Sequence, residues 1–66
     1  MEIGERVVFT KDYRTKFDTF AYEGDKGTIA GTIRSAAVVY LELDNPRVKG
    51  YESLYSNTDI LRSDDQ

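Results

Sequence analysis

Val39, Leu41 and Leu43 alternate with Val38, Tyr40 and Glu42 in a run that starts at Ala37 and is cut off by Asp44-Asn45-Pro46. No other segment limits the fold as tightly. A period of two marks a strand with one buried face. Glu42 assigns its own face to solvent, so Val39, Leu41 and Leu43 point inward. Asp and Asn favour turns and Pro cannot donate to a ladder, which ends the strand at Leu43. Upstream, Gly24-Asp25-Lys26-Gly27-Thr28-Ile29 reads as a tight turn that delivers the chain into a second strand, Gly27–Ile33. Ile29 and Ile33 are its expected core contacts, and Gly27 is expected at positive φ in the turn. Gly31 interrupts this strand and predicts a bulge or sharp bend. Arg34-Ser35-Ala36 is then a connection of hairpin length. At the start of the chain, Gly4-Glu5 leads into a first strand, Arg6–Thr10, with Val7 and Phe9 on one face and Val8 on the other. Together these runs specify an all-β domain built on a small, strongly bent sheet.

The remaining segments are less patterned. Lys11 to Lys26 is long, polar and aromatic, without proline or a consistent apolar period, and it admits a helical turn near Phe17–Tyr22. A stretch this long without regular structure is uncommon inside a compact domain and is often functional. Arg47–Tyr51 suits either a short fourth strand or an irregular crossing. Glu52–Asn57 reads as a loop anchored by Leu54, and Thr58–Arg62 as a last short strand entered through a helical turn. Residues 1–62 are expected to form one domain and 63–66 a solvated acidic tail.

Composition removes several function classes. Sixty-six residues allow one small core, since a chain near this size buries only about 60% of its unfolded surface. Stability is then marginal unless a partner or a second subunit adds to it. With no cysteine and no histidine, thiolate metal sites, disulfides, a cysteine nucleophile and the commonest general base are all absent. No calcium-loop spacing is present, and Gly24-Asp25-Lys26-Gly27 leads into a strand rather than the helix that a phosphate loop requires. Neither an enzyme nor a cofactor or metal is therefore expected. The longest apolar stretch, Ala36 to Leu41, is too short to span a bilayer, and the acidic N-terminus lacks the features of a signal peptide, so a cytoplasmic location is expected. Twelve acidic against nine basic residues leave a net charge of −3, which opposes non-specific phosphate-backbone binding as the main role.

The order of these elements resembles the bacterial SH3-like barrels, including the KOW motif of ribosomal and transcription-elongation proteins. The matching pieces are Gly4-Glu5-Arg6-Val7, Gly24 to Ile29 and Val38 to Leu43. The chain departs from the KOW pattern in its long insertion between the first two pieces. A second resemblance is to electron-transport accessory barrels, such as the photosystem I subunit that helps dock ferredoxin. It rests on Gly4 to Val7, the aromatic segment Tyr13 to Tyr22, Gly27-Thr28-Ile29 and Asn57 to Leu61. These resemblances imply a five-stranded barrel with a long loop between strands 1 and 2. A eukaryotic signalling SH3 domain matches less well, because the tryptophan of its proline-binding groove has no counterpart here.

The aromatic segment is where function is expected. Tyr13, Phe17, Phe20 and Tyr22 are interleaved with Lys11, Arg14 and Lys16. Such residues pack as a satellite core at the mouth of the barrel, form a protein-binding surface, or stack bases while neutralising phosphates. Tyr40, Tyr51 and Tyr55 extend the surface if the late loop folds beside the early one. The reading taken forward is a non-enzymatic protein-binding module, or small accessory subunit, that docks onto a larger assembly. Its partner-binding residues are Tyr13, Arg14, Phe17, Phe20, Tyr22, Tyr51 and Tyr55. A KOW-like nucleic-acid module is the alternative, and self-association is compatible with both.

Overall fold

The computed structural model describes residues 1–33 and 37–64. The described chain is all-β: β1 (Arg6–Phe9), β2 (Tyr13–Arg14), β3 (Thr19–Ala21), β4 (Lys26–Thr32), β5 (Val38–Leu43), β6 (Ser53–Asn57) and β7 (Leu61–Ser63), with one turn of 3-10 helix at Thr58–Ile60. Five strands form an antiparallel sheet in the order β6-β5-β4-β1-β7, and β2 pairs with β3 in a separate ribbon. The five-stranded sheet does not close into a barrel. Its first strand pairs with its last, but β6 and β7 remain as edges and no ladder joins them.

The core follows the alternation. Val39, Leu41 and Leu43 are buried as expected, and Val7, Phe9, Ile29, Leu54 and Leu61 complete the cluster together with Ala21 from the ribbon. Val8 is buried on the opposite face of β1, directly between Lys26 and Arg62 on the neighbouring strands. The aliphatic stems of such side chains cover apolar surface while their charges stay wet. Ile33, expected inside, is 42% exposed at the end of β4.

Two glycines divide a role that the sequence assigned to one. The turn sits at Gly24, with φ 93°; the Asp25 N–H closes it by donating to the Tyr22 carbonyl at 2.9 Å, and the Gly24 N–H ties it to β1 by donating to the Phe9 carbonyl at 2.9 Å. Gly27 is not in that turn. It lies within β4 opposite Val7 and Leu43, outside the positive-φ region. Its hydrogen in place of a side chain answers a contact instead: a Cβ there would stand 2.7 Å from the Glu42 carbonyl oxygen and 2.9 Å from Leu41 Cδ1. The expected bulge is present, because the β4–β5 register shifts between Ile29 and Gly31.

Three elements differ from expectation. The long segment is not structureless and makes no helical turn at Phe17–Tyr22. It folds back as the β2–β3 ribbon, whose tip is held by Thr15: its N–H donates to the Asp18 carbonyl at 2.7 Å, and its Oγ1 accepts from the Asp18 N–H at 3.2 Å. The fourth strand of the sheet is β6, in the segment read as a loop, while Arg47–Tyr51 is an irregular crossing. Leu54 is the buried anchor expected there, and Ser56 shares its strand's alternation. Last, residue 63 does not begin a free tail. Ser63 pairs with Val7, and the Asp64 N–H donates to the Arg6 carbonyl at 3.0 Å. The expected hairpin connection Arg34-Ser35-Ala36 and the last two tail residues lie outside the described residues.

The close approach at Gly27 and the packing of Leu41 generate a graded stability series. Leu41→Ala, which empties a fully buried position, is expected to cost about 2–5 kcal/mol. Gly27→Ala should cost about 1–3 kcal/mol by overpacking. Gly31→Ala, where a Cβ meets only Tyr40 Cβ at 3.7 Å, should stay within about 0.5 kcal/mol. Urea midpoints measure all three, and equal tolerance at Gly27 and Gly31 would refute the contact.

Candidate functional site

Aromatic side chains from three separate segments converge beside the edge strand β6. Tyr13 of β2 and Phe20 of β3 stand edge to face with ring centroids 5.8 Å apart. Phe20 meets Tyr51 at 4.7 Å, and Tyr40 of β5 meets Tyr55 of β6 at 4.8 Å. The last pair follows from the ladder, since Tyr40 and Tyr55 are directly opposed, and opposed residues share a face at short range. Together with Ser53 and Leu54, these five rings line an open, mainly apolar groove of about 300 Å³.

Tyr13 positions the ribbon against the sheet. Its ring also packs edge-on against Phe9 of the core at 6.1 Å, and its hydroxyl donates to the Tyr55 carbonyl at 2.7 Å. The ribbon is therefore fixed from below by core contact and from the side by a hydrogen bond to the edge strand. Ala21, fully buried, secures its other strand.

The expected site residues do not all meet. Tyr13, Phe20, Tyr51 and Tyr55 line the groove. Arg14 lies next to it and lines a second cavity of about 250 Å³ with Lys11, Asp12, Tyr13, Asn57 and Ile60. Phe17 is 85% exposed at the tip of the ribbon, outside both. Tyr22 is turned to a different contact: the Arg47 guanidinium stands 5.0 Å from its ring centre. Tyr40 enters the groove wall in its own right, and alternation along Val38–Leu43 is the signal that places it opposite the core set. Ser53 and Leu54 were missed as lining, because their segment carries too little apolar pattern to read as a strand.

Two ion pairs pin the crossing between β5 and β6. Arg47 Nη2 meets Asp25 Oδ1 at 2.7 Å and its Nε meets Oδ2 at 3.0 Å, a bidentate fork. Arg6 grips Asp44 through Nη1 and Nη2, and its Nη1 also donates to Thr28 Oγ1 at 2.8 Å. The Asp25 carboxylate is thus mostly covered, with 12% of its side chain exposed. The hydrogen bonds from Arg47 hold the Asp25 carboxyl below its usual pKa against the opposing effect of partial burial, and the Tyr22 N–H acts in the same direction as Arg47. Arg6 likewise lowers Asp44. Both carboxylates are structural anchors. Among the described residues, no three carboxylates gather as metal ligands, and no helix is long and apolar enough to cross a membrane. No protein-family model, curated protein or solved structure matches the chain.

The geometry generates two predictions. Tyr13→Phe keeps the ring contacts and deletes the bond to Tyr55. It should lower stability by about 0.5–1.5 kcal/mol and speed amide exchange in β6, and unchanged exchange there would contradict the strut role. The second concerns acid. A lowered folded-state pKa at Asp25 means that the unfolded chain binds more protons in that range. The pair's contribution is full above the ordinary aspartate value of about 3.9 and is lost as pH falls through the folded-state value. Asp25→Asn should therefore melt lower than the parent at pH 6, with the gap shrinking on acidification below about pH 4. Parallel melting curves across that window would contradict it.

Proposed function

We propose that this chain is a non-enzymatic binding module that docks onto a larger protein through the groove formed by Tyr13, Phe20, Tyr40, Tyr51 and Tyr55. One observation carries the reading: these rings come from distant parts of the chain yet face one open groove, with Tyr51 and Tyr55 about half exposed. A satellite core would bury its rings, whereas a docking surface must keep aromatic area in water. Tyrosine suits that role because it offers a large rigid face with a polar tip.

The SH3-like reading of the fold belongs with this proposal. An antiparallel meander with its first strand paired to its last, a long excursion between its first two strands and a 3-10 turn before the final one support it, in the form of an open sheet. The same excursion, here the β2–β3 ribbon, supplies one wall of the groove. A nucleic-acid role receives less support, because three of the basic side chains, Arg6, Arg47 and Lys26, are paired with Asp44, Asp25 and Asp64.

Alanine replacement tests the proposal. Tyr51→Ala and Tyr55→Ala should each change stability by about 1 kcal/mol or less while sharply reducing capture of partner proteins from host lysate. The retained binding of the parent should fall only shallowly with added salt. Loss of folding in both variants would make the groove structural. A steep salt dependence governed by Lys11, Arg14 and Lys16 would favour nucleic acid instead.

A further inference from the structure

The groove does not end at its aromatic wall. Tyr13 is shared with the neighbouring cavity, so an apolar groove and a polar cavity meet across a single side chain. The register of the ribbon shifts between Tyr13 and Arg14. In an unbroken strand, successive side chains point to opposite faces, and a bulge re-aims one of them. Here both residues line the polar cavity.

That cavity is cationic in effect. Lys11 and Arg14 are exposed, and neither has a carboxylate partner among the described residues. The one carboxylate in the lining, Asp12, is held in place by its Oδ1 accepting the Glu23 N–H at 2.9 Å and keeps its charge, so Lys11 and Arg14 leave the lining net positive by one. In a chain of net charge −3, two unpaired cations held next to an aromatic groove form a local field of the opposite sign.

Resting on the docking reading above, we propose that the partner presents an extended peptide whose apolar residues occupy the aromatic groove and whose flanking acidic side chain reaches Lys11 and Arg14. Two features argue for an extended strand rather than a folded knob. The two subsites lie side by side along the ribbon, and an extended backbone advances about 3.3 Å per residue, which carries successive side chains from one subsite to the next. Charge complementarity then sets the direction in which the peptide lies, while the rings provide the buried area.

Selection from a display library of random dodecapeptides, carried out on the full chain at low and at moderate salt, tests this. The expected consensus joins apolar or aromatic residues to Asp or Glu on one side. A synthetic peptide of that consensus should bind the parent, lose affinity about tenfold or more toward a Lys11→Glu, Arg14→Glu double variant, and regain it when its acidic residues are changed to lysine. Tyr55→Ala should weaken the acidic and lysine-substituted peptides alike on their respective hosts. An apolar consensus without charge preference would overturn this inference and leave the docking groove standing. A library that yields no binder would overturn the extended-peptide inference and leave docking of a folded surface to the lysate capture, whereas a consensus insensitive to Tyr55→Ala and Tyr51→Ala would overturn both. Stronger binding of a single-stranded oligonucleotide probe than of any acidic peptide would replace the peptide with nucleic acid.

Discussion

Tyr13 joins the core, the ribbon and the edge strand through one side chain. Its ring touches Phe9 in the core and Phe20 across the ribbon, and its hydroxyl reaches the Tyr55 carbonyl on the edge strand. Ordering the segment between β1 and β4 has a large conformational entropy cost, which only contacts back to the sheet can offset. Tyr13, with buried Ala21, supplies those contacts. The same hydroxyl occupies an outward-facing main-chain acceptor of β6, an edge strand of the sheet. A residue that anchors the ribbon thus also shields an edge and forms the boundary between the two subsites.

The opposite wall is set by charge. The crossing between β5 and β6 has little apolar content, so burial alone would not place it. Arg47 on Asp25 and Arg6 on Asp44 tie it to the Gly24 turn and to β1, and Tyr51 then emerges against Phe20. These pairs are partly exposed, and such pairs contribute modestly to stability. Their consequence here is positional: they determine where the crossing that carries Tyr51 stands. Lys11 and Arg14, outside these pairs, stand at one end of the groove.

Much of the sheet was legible in the chain because period-two burial is a local signal. Val39, Leu41 and Leu43, the bulge at Gly31 and the helical turn before the last strand all follow from nearest-neighbour pattern and backbone chemistry. β6 was not legible: Glu52 to Asn57 looks like a loop, and it becomes a strand only because β5 offers a complete edge to pair with. The ribbon was hidden for a similar reason, since two short strands without alternation form where their ends are held by the core. Gly27 misled because a glycine required by a neighbour's carbonyl looks the same in sequence as one required by a turn.

Local pattern, then, was sufficient for an all-β chain, for the inward face of its best strand and for the concentration of rings and cations in one long segment. Which rings share a groove was a tertiary decision. Tyr13, Phe20, Tyr51 and Tyr55 converge, while Tyr22 is drawn to Arg47 and Phe17 is left at the ribbon tip. So was the failure of the sheet to close, because closure depends on how far bend and register accumulate over five strands. Convergence and closure are both set by contacts between residues far apart in the chain, and such contacts leave no periodic trace in the segments that make them.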